Sequence, residues 1–404
     1  MELEKKVLHS IYFVTFFLFF NLCFITEKID LVPLIFCLSS IILIAYSSFI
    51  IRKFYPRGDK FLFLISVLLC QIGIVMIYRL DIKTKNFEIP RYALKQMTWF
   101  TIGITIFMII LFIAPKMIRI SRYKYIYIFI ALSLLMSTLF IGKEIKGSKN
   151  WIVIGTFSFQ PSEIAKFFII LYLASALSKQ INKRDIIETV IFIFLAIGFL
   201  VLEKDLGAAL IFFGIYLVML YIATSKAKYV GLGLLAFSLG GLLSYFIFNH
   251  VRIRVQIWLN PWKYKLDKGY QICQSLFAIA SGGLFGRGLG LGYPYLIPLA
   301  INDFIFSAIA EEFGLIGASA LIILYFLLVY RGLRTAIYSK DNFSQLVAVG
   351  ISSMMAFQVF VVIGGVTKMI PMTGITLPFV SYGGSSMLLN FLSLGVLYKI
   401  SEGR

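Results

Sequence analysis

Stretches of about 20 apolar residues, repeated from end to end, constrain this chain more than any other feature. A helix needs roughly that length to cross ~30 Å of hydrocarbon. Roughly twelve such runs can be counted, near 10–26, 31–51, 61–78, 97–114, 125–142, 164–178, 186–202, 206–223, 229–248, 305–330, 345–365 and 384–400. With 60% of its residues hydrophobic, the sequence excludes a soluble globular fold, whose core never needs so many continuous apolar runs. The expected fold class is an all-α polytopic membrane protein. The first run lacks a small-residue cleavage region, and a second follows at once, so it reads as a retained span rather than a secretory signal.

Charge gives an orientation. The turns Arg52–Lys60, Lys116–Lys124, Lys179–Arg184, Lys226–Lys228 and Arg331–Lys340 are short and basic, which places them and the N-terminus on the cytoplasmic side. The opposite loops, 79–96, 143–166 and 249–303, are basic too, with Arg79, Lys83, Lys85, Lys146, Lys149, Arg254, Lys268 and Arg287 among their residues. Most of the formal charge of +19 fits positive-inside topology and attraction to anionic lipid headgroups. The remainder predicts a cationic outer face suited to a lipid phosphate or diphosphate. No soluble basic domain is present to bind nucleic acid. Cys23, Cys37, Cys70 and Cys273 have no metal-ligand spacing, and His9 and His250 are isolated.

Polar motifs fall at four places, all on the outer side. The first runs from Gly147-Ser148-Lys149-Asn150-Trp151 to Gln160-Pro161-Ser162-Glu163 and Lys166. Pro161 suits a first helical turn, Glu163 complements the helix dipole there, and Trp151 is a natural interfacial anchor. Those plain structural roles compete with substrate binding. The second, Glu203-Lys204-Asp205, is a tight hairpin that is either solvated or lines an outward cavity; Asp205 is also a candidate helix cap.

The third is the long interruption 249–304, rich in Arg, Lys, Gly, Pro and aromatics. Irregular backbone of this kind is tolerated only outside the hydrocarbon or in a protein-walled cavity. Its Ser281–Gly290 stretch is Gly-rich. Backbone amides there can approach phosphate, with Arg287 as the cation, or the glycines serve close packing of a re-entrant loop. The interruption ends at Asp303, a carboxylate at the mouth of the next apolar helix, where function is the default explanation. Asp303, Ser307, Ala310, Gly314 and Ala318 are expected to share one helix face, with Glu311 beside it and Glu312 pointing elsewhere. The fourth motif, 368–386, interrupts a span with Pro371, Pro378, Gly374, Gly383 and Gly384, as broken helices do where they line a cavity.

Pro371–Ser386 closely resembles the C-terminal signature of the SEDS family, the RodA, FtsW and SpoVE proteins. Phe159–Glu163, Asp205-Leu206-Gly207, Asn260-Pro261-Trp262, Gly269-Tyr270-Gln271 with Gln274-Ser275, Asp303–Phe306 and Ala310–Gly314 then match in order. The resemblance covers residues 65 to the end. It implies a ten-helix polymerase core over 61–404, containing the extracellular loop 249–304, with 1–60 as an additional N-terminal transmembrane pair. That pair and the Tyr78-Arg79-Leu80-Asp81 junction lean towards a RodA-like member.

The resemblance further implies a peptidoglycan glycosyltransferase. It would polymerise lipid II, the undecaprenyl-diphosphate-linked precursor, on the outer face of the bacterial cytoplasmic membrane beside a class B penicillin-binding protein. The family's catalytic carboxylate falls on Asp303, which would take a proton from the attacking sugar hydroxyl. Cationic groups, with Lys149, Arg287 and Lys368 as candidates, or a divalent cation such as Mg or Mn would stabilise the departing diphosphate. No organic cofactor is implied. The matched motifs make Trp151, Gln160, Ser162, Glu163, Lys166, Asp205, Gln271, Gln274, Glu311, Ser381, Gly383, Gly384 and Ser385 further substrate-binding candidates. The sequence departs from the family at Pro298–Asp303, which lacks a second acid, and at Asn150 and Ser158, where basic residues are frequent. A lipid II flippase or other transporter, and a non-catalytic scaffold for a transpeptidase, are the competing functions; the clustering of motifs on one side and the presence of Asp303 distinguish them from a polymerase.

Overall fold

The computed structural model describes residues 2–25, 29–82, 90–114, 117–145, 148–155, 157–179 and 182–403. Lys83, Lys85, Lys116, Lys146 and Gly147 lie outside them. Each of the expected apolar runs is a helix: α1 (Glu2–Leu22), α2 (Val32–Phe54), α3 (Lys60–Ile82), α4 (Arg91–Ile113), then, after the short α5 (Met117–Ile120), α6 (Lys124–Ile141). A three-stranded antiparallel sheet follows, β1 (Lys143–Ile145), β2 (Ser148–Ile154) and β3 (Phe157–Phe159), in the order β1-β2-β3. The bundle continues with α7 (Pro161–Leu177), α8 (Lys183–Leu202), α9 (Leu206–Thr224) and α10 (Ala227–Ile247). The long interruption contains α11 (Asn249–Leu259) and α12 (Tyr270–Gly282), and α13 (Ile305–Ile337), α14 (Asn342–Val366) and α15 (Gly384–Glu402) complete the chain. Nine of these helices, among the described residues, are long and apolar enough to cross a membrane. Of the other three apolar runs, α1 opens with charged residues, α7 has 17 residues with Glu163 and Lys166 among them, and α15 is rich in serine.

Burial orders the bundle from inside out. Helix α3 is buried along nearly its whole length, as are α7 and α14, whereas α10 has no buried residue and presents apolar side chains all round. A helix of that composition is stable only with lipid as its solvent. The N-terminal helices are fastened to α3 at both ends: Lys60 Nζ lies 3.2 Å from Glu4 Oε1, and the Tyr78 hydroxyl donates to Asp30 Oδ2 at 2.5 Å. Helix starts follow local chemistry. Pro161 occupies the first turn of α7, Asn182 and Asp185 form a capping box on α8, and Asp341 Oδ1 accepts from Ser344 N at 2.9 Å to cap α14.

Helix α13 is broken. Gly314 adopts φ 67°, ψ −167°, so the stripe expected from Asp303 to Ala318 is not continuous, and Asp303 itself precedes the helix, which begins at Ile305. The break strands carbonyls on one side and amides on the other, at a depth without water to receive them. The Gly-rich loop receives them. Arg287 N and Gly288 N donate to the carbonyls of Glu311 and Glu312 at 3.0 and 2.9 Å, while Leu315 N and Ile316 N donate to Gly283 O and Leu284 O at 2.9 and 3.2 Å. This approach requires glycine: a methyl group on Gly286 would stand 2.2 Å from Glu312 O. Close packing, one of the two roles expected for this loop, is therefore observed.

The adjacent glutamates are also accounted for. Glu312 is fully buried against Arg79, with Oε1 3.0 Å from Nε, and Arg79 Nη2 donates to Gly290 O and Gly292 O at 2.9 and 3.1 Å. Arg79 was expected in an outer loop. It lies instead in the last turn of α3, without solvent exposure, as the counter-ion of an intramembrane acid.

Candidate active site

The chain alternates direction from helix to helix, so the ends bearing the four polar motifs meet at one end of the bundle. There they enclose a cavity of about 1100 Å³. Its walls come from residues 95–102 of α4, from the first turns of α7, α9 and α15, from β2 and β3, from α11 and α12, and from the unwound segments 298–303 and 372–376. Asp303 lines it, together with Trp151, Gln160, Glu163, Lys166, Asp205, Gln271, Gly383, Gly384 and Ser385. The lining carries four acids (Glu163, Asp205, Asp267, Asp303) and four bases (Lys95, Lys166, Arg254, Lys268).

Asp303 is held through its chain neighbours. Tyr382 N donates to Ile301 O at 2.9 Å, Asn302 Nδ2 to Tyr382 O at 2.9 Å, and the buried Ser381 hydroxyl to Asn302 O at 2.6 Å. Ser381 Oγ in turn accepts from Leu377 N at 2.9 Å, and Gln96 Nε2 reaches Ser381 O at 3.1 Å. The unwound segments 301–302 and 377–383 thus form a clasp with polar groups paired on both sides. Gly374, at φ +76°, lies beside it: a methyl group there would be in ordinary contact with Asp303 Oδ2, at 3.8 Å. Leu299 (φ 61°) and Phe379 (φ 64°) hold left-handed backbone at ~1–3 kcal/mol each, a cost borne where surrounding bonds fix the conformation.

Asp205 organises the opposite wall. Its Oδ1 caps α9 by accepting from Ala208 N at 3.0 Å, and its Oδ2 accepts from Asn150 Nδ2 and Gln160 Nε2, both at 2.8 Å, with Ser162 Oγ at 3.4 Å. One carboxylate therefore joins β2, α7 and α9. Glu163 and Lys166 pair at 2.7 Å, and Lys166 Nζ lies 3.4 Å from Gln358 Oε1, whose amide donates to Thr376 O at 2.9 Å. In the hairpin, Thr138 hydrogen-bonds to the Glu203 carboxylate. Burial pushes the Glu203 pKa up to about 8; the Thr138 bond opposes this and the charge of Asp205 adds to it.

Several candidates lie off the cavity lining. Lys149 Nζ is turned to Leu139 O at 2.6 Å, and Ser162 is buried behind Asp205. Arg287 is exposed and reaches Ser281 O at 3.4 Å, because its loop is engaged with the Gly314 break. Glu311 Oε1 accepts from Tyr293 N at 2.8 Å, Lys368 offers its carbonyl to Trp258 Nε1 at 3.1 Å, and Ser381 is committed to the clasp. Gln274 also lies outside the lining. The three cations proposed for a diphosphate are thus not at the cavity.

Arg254 is, and the sequence reading did not single it out. It projects from α11, and its Nη1 donates to Met372 O and Thr373 O at 3.3 and 3.2 Å. Burial lowers its pKa, and the charges of Asp205 and Asp303 act in the opposite direction. The spacing Arg254, Ile257, Trp258 marks one helix face and was the available signal. Trp99 and Ile102 of α4, also unanticipated, add an apolar wall beside Ile211 of α9.

The sequence profile of the family described as cell cycle protein, FtsW/RodA/SpoVE, matches residues 59–404. Peptidoglycan glycosyltransferase RodA of Mycobacterium tuberculosis (strain ATCC 25618 / H37Rv) is 40% identical over 376 residues, covering 87% of this chain and 80% of that protein. Stage V sporulation protein E of Bacillus subtilis (strain 168) is 37% identical over 356 residues, with 85% and 97% covered. A chain from a structure on the structural coordination of polymerization and crosslinking by a peptidoglycan synthase complex superposes with a TM-score of 0.73 at 28% identity, covering 85% of this chain and 97% of that one. The crystal structure of the Thermus thermophilus rod shape determining protein RodA gives a TM-score of 0.64 at 27% identity, with 85% and 96% covered.

Proposed function

The chain belongs to the FtsW/RodA/SpoVE family, and on that premise we propose that it is a multi-pass peptidoglycan glycosyltransferase that polymerises lipid II, with Asp303 as general base. The observation that carries this reading is a carboxylate at the wall of a cavity of about 1100 Å³, with its preceding backbone clasped to the 377–383 segment. The cavity stands at the upper end of the ~300–1,000 Å³ usual for small-molecule sites. The apolar wall of Trp99, Ile102 and Ile211 supports a polyprenyl chain entering from the bilayer, with sugar and diphosphate among the charged residues.

In the reaction a sugar hydroxyl attacks the anomeric carbon of a lipid-linked sugar. The new C–O bond forms as the bond to diphosphate breaks, the proton passes to Asp303, and undecaprenyl diphosphate departs. Positioned general bases contribute about 10²–10⁴-fold. Basic turns at the opposite end of the bundle support an outward-facing cavity in the cytoplasmic membrane. Among the described residues no three acidic, His or Cys side chains converge on one point, and both oxygens of Asp205 already accept hydrogen bonds. A Mg or Mn ion, were one bound, would be held by Asp303 and would supply charge neutralisation for the departing diphosphate. The similar synthase complex couples polymerization to crosslinking; we propose a class B penicillin-binding protein as the partner here.

The test is polymerisation by the purified complex with its transpeptidase, supplied with lipid II and divalent cation. Wild type should yield glycan strands and Asp303→Asn none. Polymerisation by Asp303→Asn at the wild-type rate removes Asp303 from the mechanism, and lipid translocation without polymer favours a flippase.

A further inference from the structure

We propose that Arg254 is the residue that grips the diphosphate of the lipid-linked donor, an assignment that rests on the polymerase reading and specifies its substrate contacts. Three observations converge on it. First, the other cations of the cavity are engaged or solvated: Lys166 is paired with Glu163 at 2.7 Å, while Lys95 and Lys268 are exposed. Second, Arg254 makes no ion pair within 4.0 Å among the described residues, although it stands in the field of Asp205 and Asp303. Third, it is half anchored. Nη1 donates to Met372 O and Thr373 O, leaving Nε and Nη2 of this cavity-lining side chain without a hydrogen-bond partner among the described residues.

The chemistry follows from that geometry. A guanidinium has five N–H donors in a rigid fork and binds phosphate oxygens bidentately. Three remain here after the anchor, enough for a two-point grip on one phosphate and a contact to the second. Anchoring one arm before the substrate arrives lowers the entropy lost on binding. The anchor also ties the cation to the segment that ends at Gly374, beside Asp303. Base and leaving-group cation are thereby held by one stretch of backbone. As the C–O bond breaks, negative charge builds on the diphosphate, where a fixed cation is most effective.

The test measures direct binding of undecaprenyl diphosphate and undecaprenyl monophosphate to the purified complex in nanodiscs, alongside polymerisation. Wild type should prefer the diphosphate lipid. Arg254→Gln should lose that preference by about 10- to 100-fold, the value of a charge-assisted contact, with Arg254→Lys recovering part of it. Trp258→Phe removes the neighbouring tether to Lys368 O and serves as the control; it should slow turnover without changing the preference. A polymerising wild type whose Arg254→Gln variant keeps the full preference overturns the inference and leaves the polymerase reading intact. A wild type that binds diphosphate through Arg254 yet makes no glycan supports the inference and sinks the polymerase.

Discussion

Ser381→Ala should slow polymerisation by about two orders of magnitude while leaving the protein folded. The Ser381 hydroxyl donates to Asn302 O at 2.6 Å and accepts from Leu377 N at 2.9 Å, at a residue only 4% exposed. Removing it leaves one carbonyl and one amide unpaired away from water, at ~1–3 kcal/mol each. Two further bonds, Tyr382 N to Ile301 O and Asn302 Nδ2 to Tyr382 O, still join the segments at 2.9 Å. The cheapest relief is therefore a shift of the 301–303 backbone that lets the stranded groups find other partners. Asp303 moves with it. A displacement of about 1 Å in a reacting group costs roughly 10²-fold in rate. Loss of positioning lowers kcat and leaves KM nearly unchanged, whereas loss of a substrate contact raises KM. Steady-state polymerisation of labelled lipid II over a concentration series separates the two, and Ser381→Thr, which keeps the hydroxyl, should retain more activity. A wild-type kcat in Ser381→Ala refutes the clasp, and a raised KM at constant kcat makes Ser381 the substrate contact that its motif suggested.

Arg79→Leu and Glu312→Leu should each destabilise the protein by about 3–5 kcal/mol, because either leaves a buried charge without its partner, and the double substitution should recover much of the loss. Thermal inactivation half-lives in nanodiscs read this, and a double variant no better than the singles would contradict it. Glu203 sets a pH dependence. Its pKa in the fold, about 8 against an ordinary 4.5, means that the native state holds the proton more tightly than the unfolded chain does. Its contribution is then full below about pH 4.5 and declines as the pH rises to about 8. Inactivation should accelerate from pH 5.5 to 8.5, and Glu203→Gln should flatten the slope; an unchanged slope in that variant would show that other groups set it.

The helices were legible because burial in lipid demands long apolar runs, which need no knowledge of contacts. Their ends were not. Helix α3 carries Arg79 and Asp81 beyond its apolar stretch because Glu312 and the first turn of α4 receive them, partners far away in sequence. The β-strands escaped notice because β1 and β3 have three residues each, too few to show a period. Gly314 read as one small residue on a continuous helix face. Its break is visible only with the loop that fills it. Motifs located Asp303 and most of the cavity wall, since those residues sit at helix starts that share one end of the bundle. They failed for Lys149, Arg287 and Lys368, because adjacency to a motif does not fix where a long side chain points. Arg254 was lost inside a segment read as irregular, although it belongs to a helix.

The long interruption serves two broken helices at once. Residues 283–288 accept and donate the hydrogen bonds that Gly314 leaves open in α13, and residues 301–302 do the same for the unwound 377–383 segment. Each unpaired backbone group in an apolar medium costs several kcal/mol, so neither break is tolerable without the loop. A continuous helix at either place would satisfy its own backbone and release the loop. In the 372–383 segment it would also remove the Ser381 clasp, which holds the backbone before Asp303, and the carbonyls that anchor Arg254. The irregular backbone that makes the fold costly is thus the same backbone that places a base and a cation on one cavity. Gly314→Ala should displace the 283–288 loop before it damages the bundle, because the methyl group would stand 2.2 Å from Gly286 N and push the loop, not the helix, out of place.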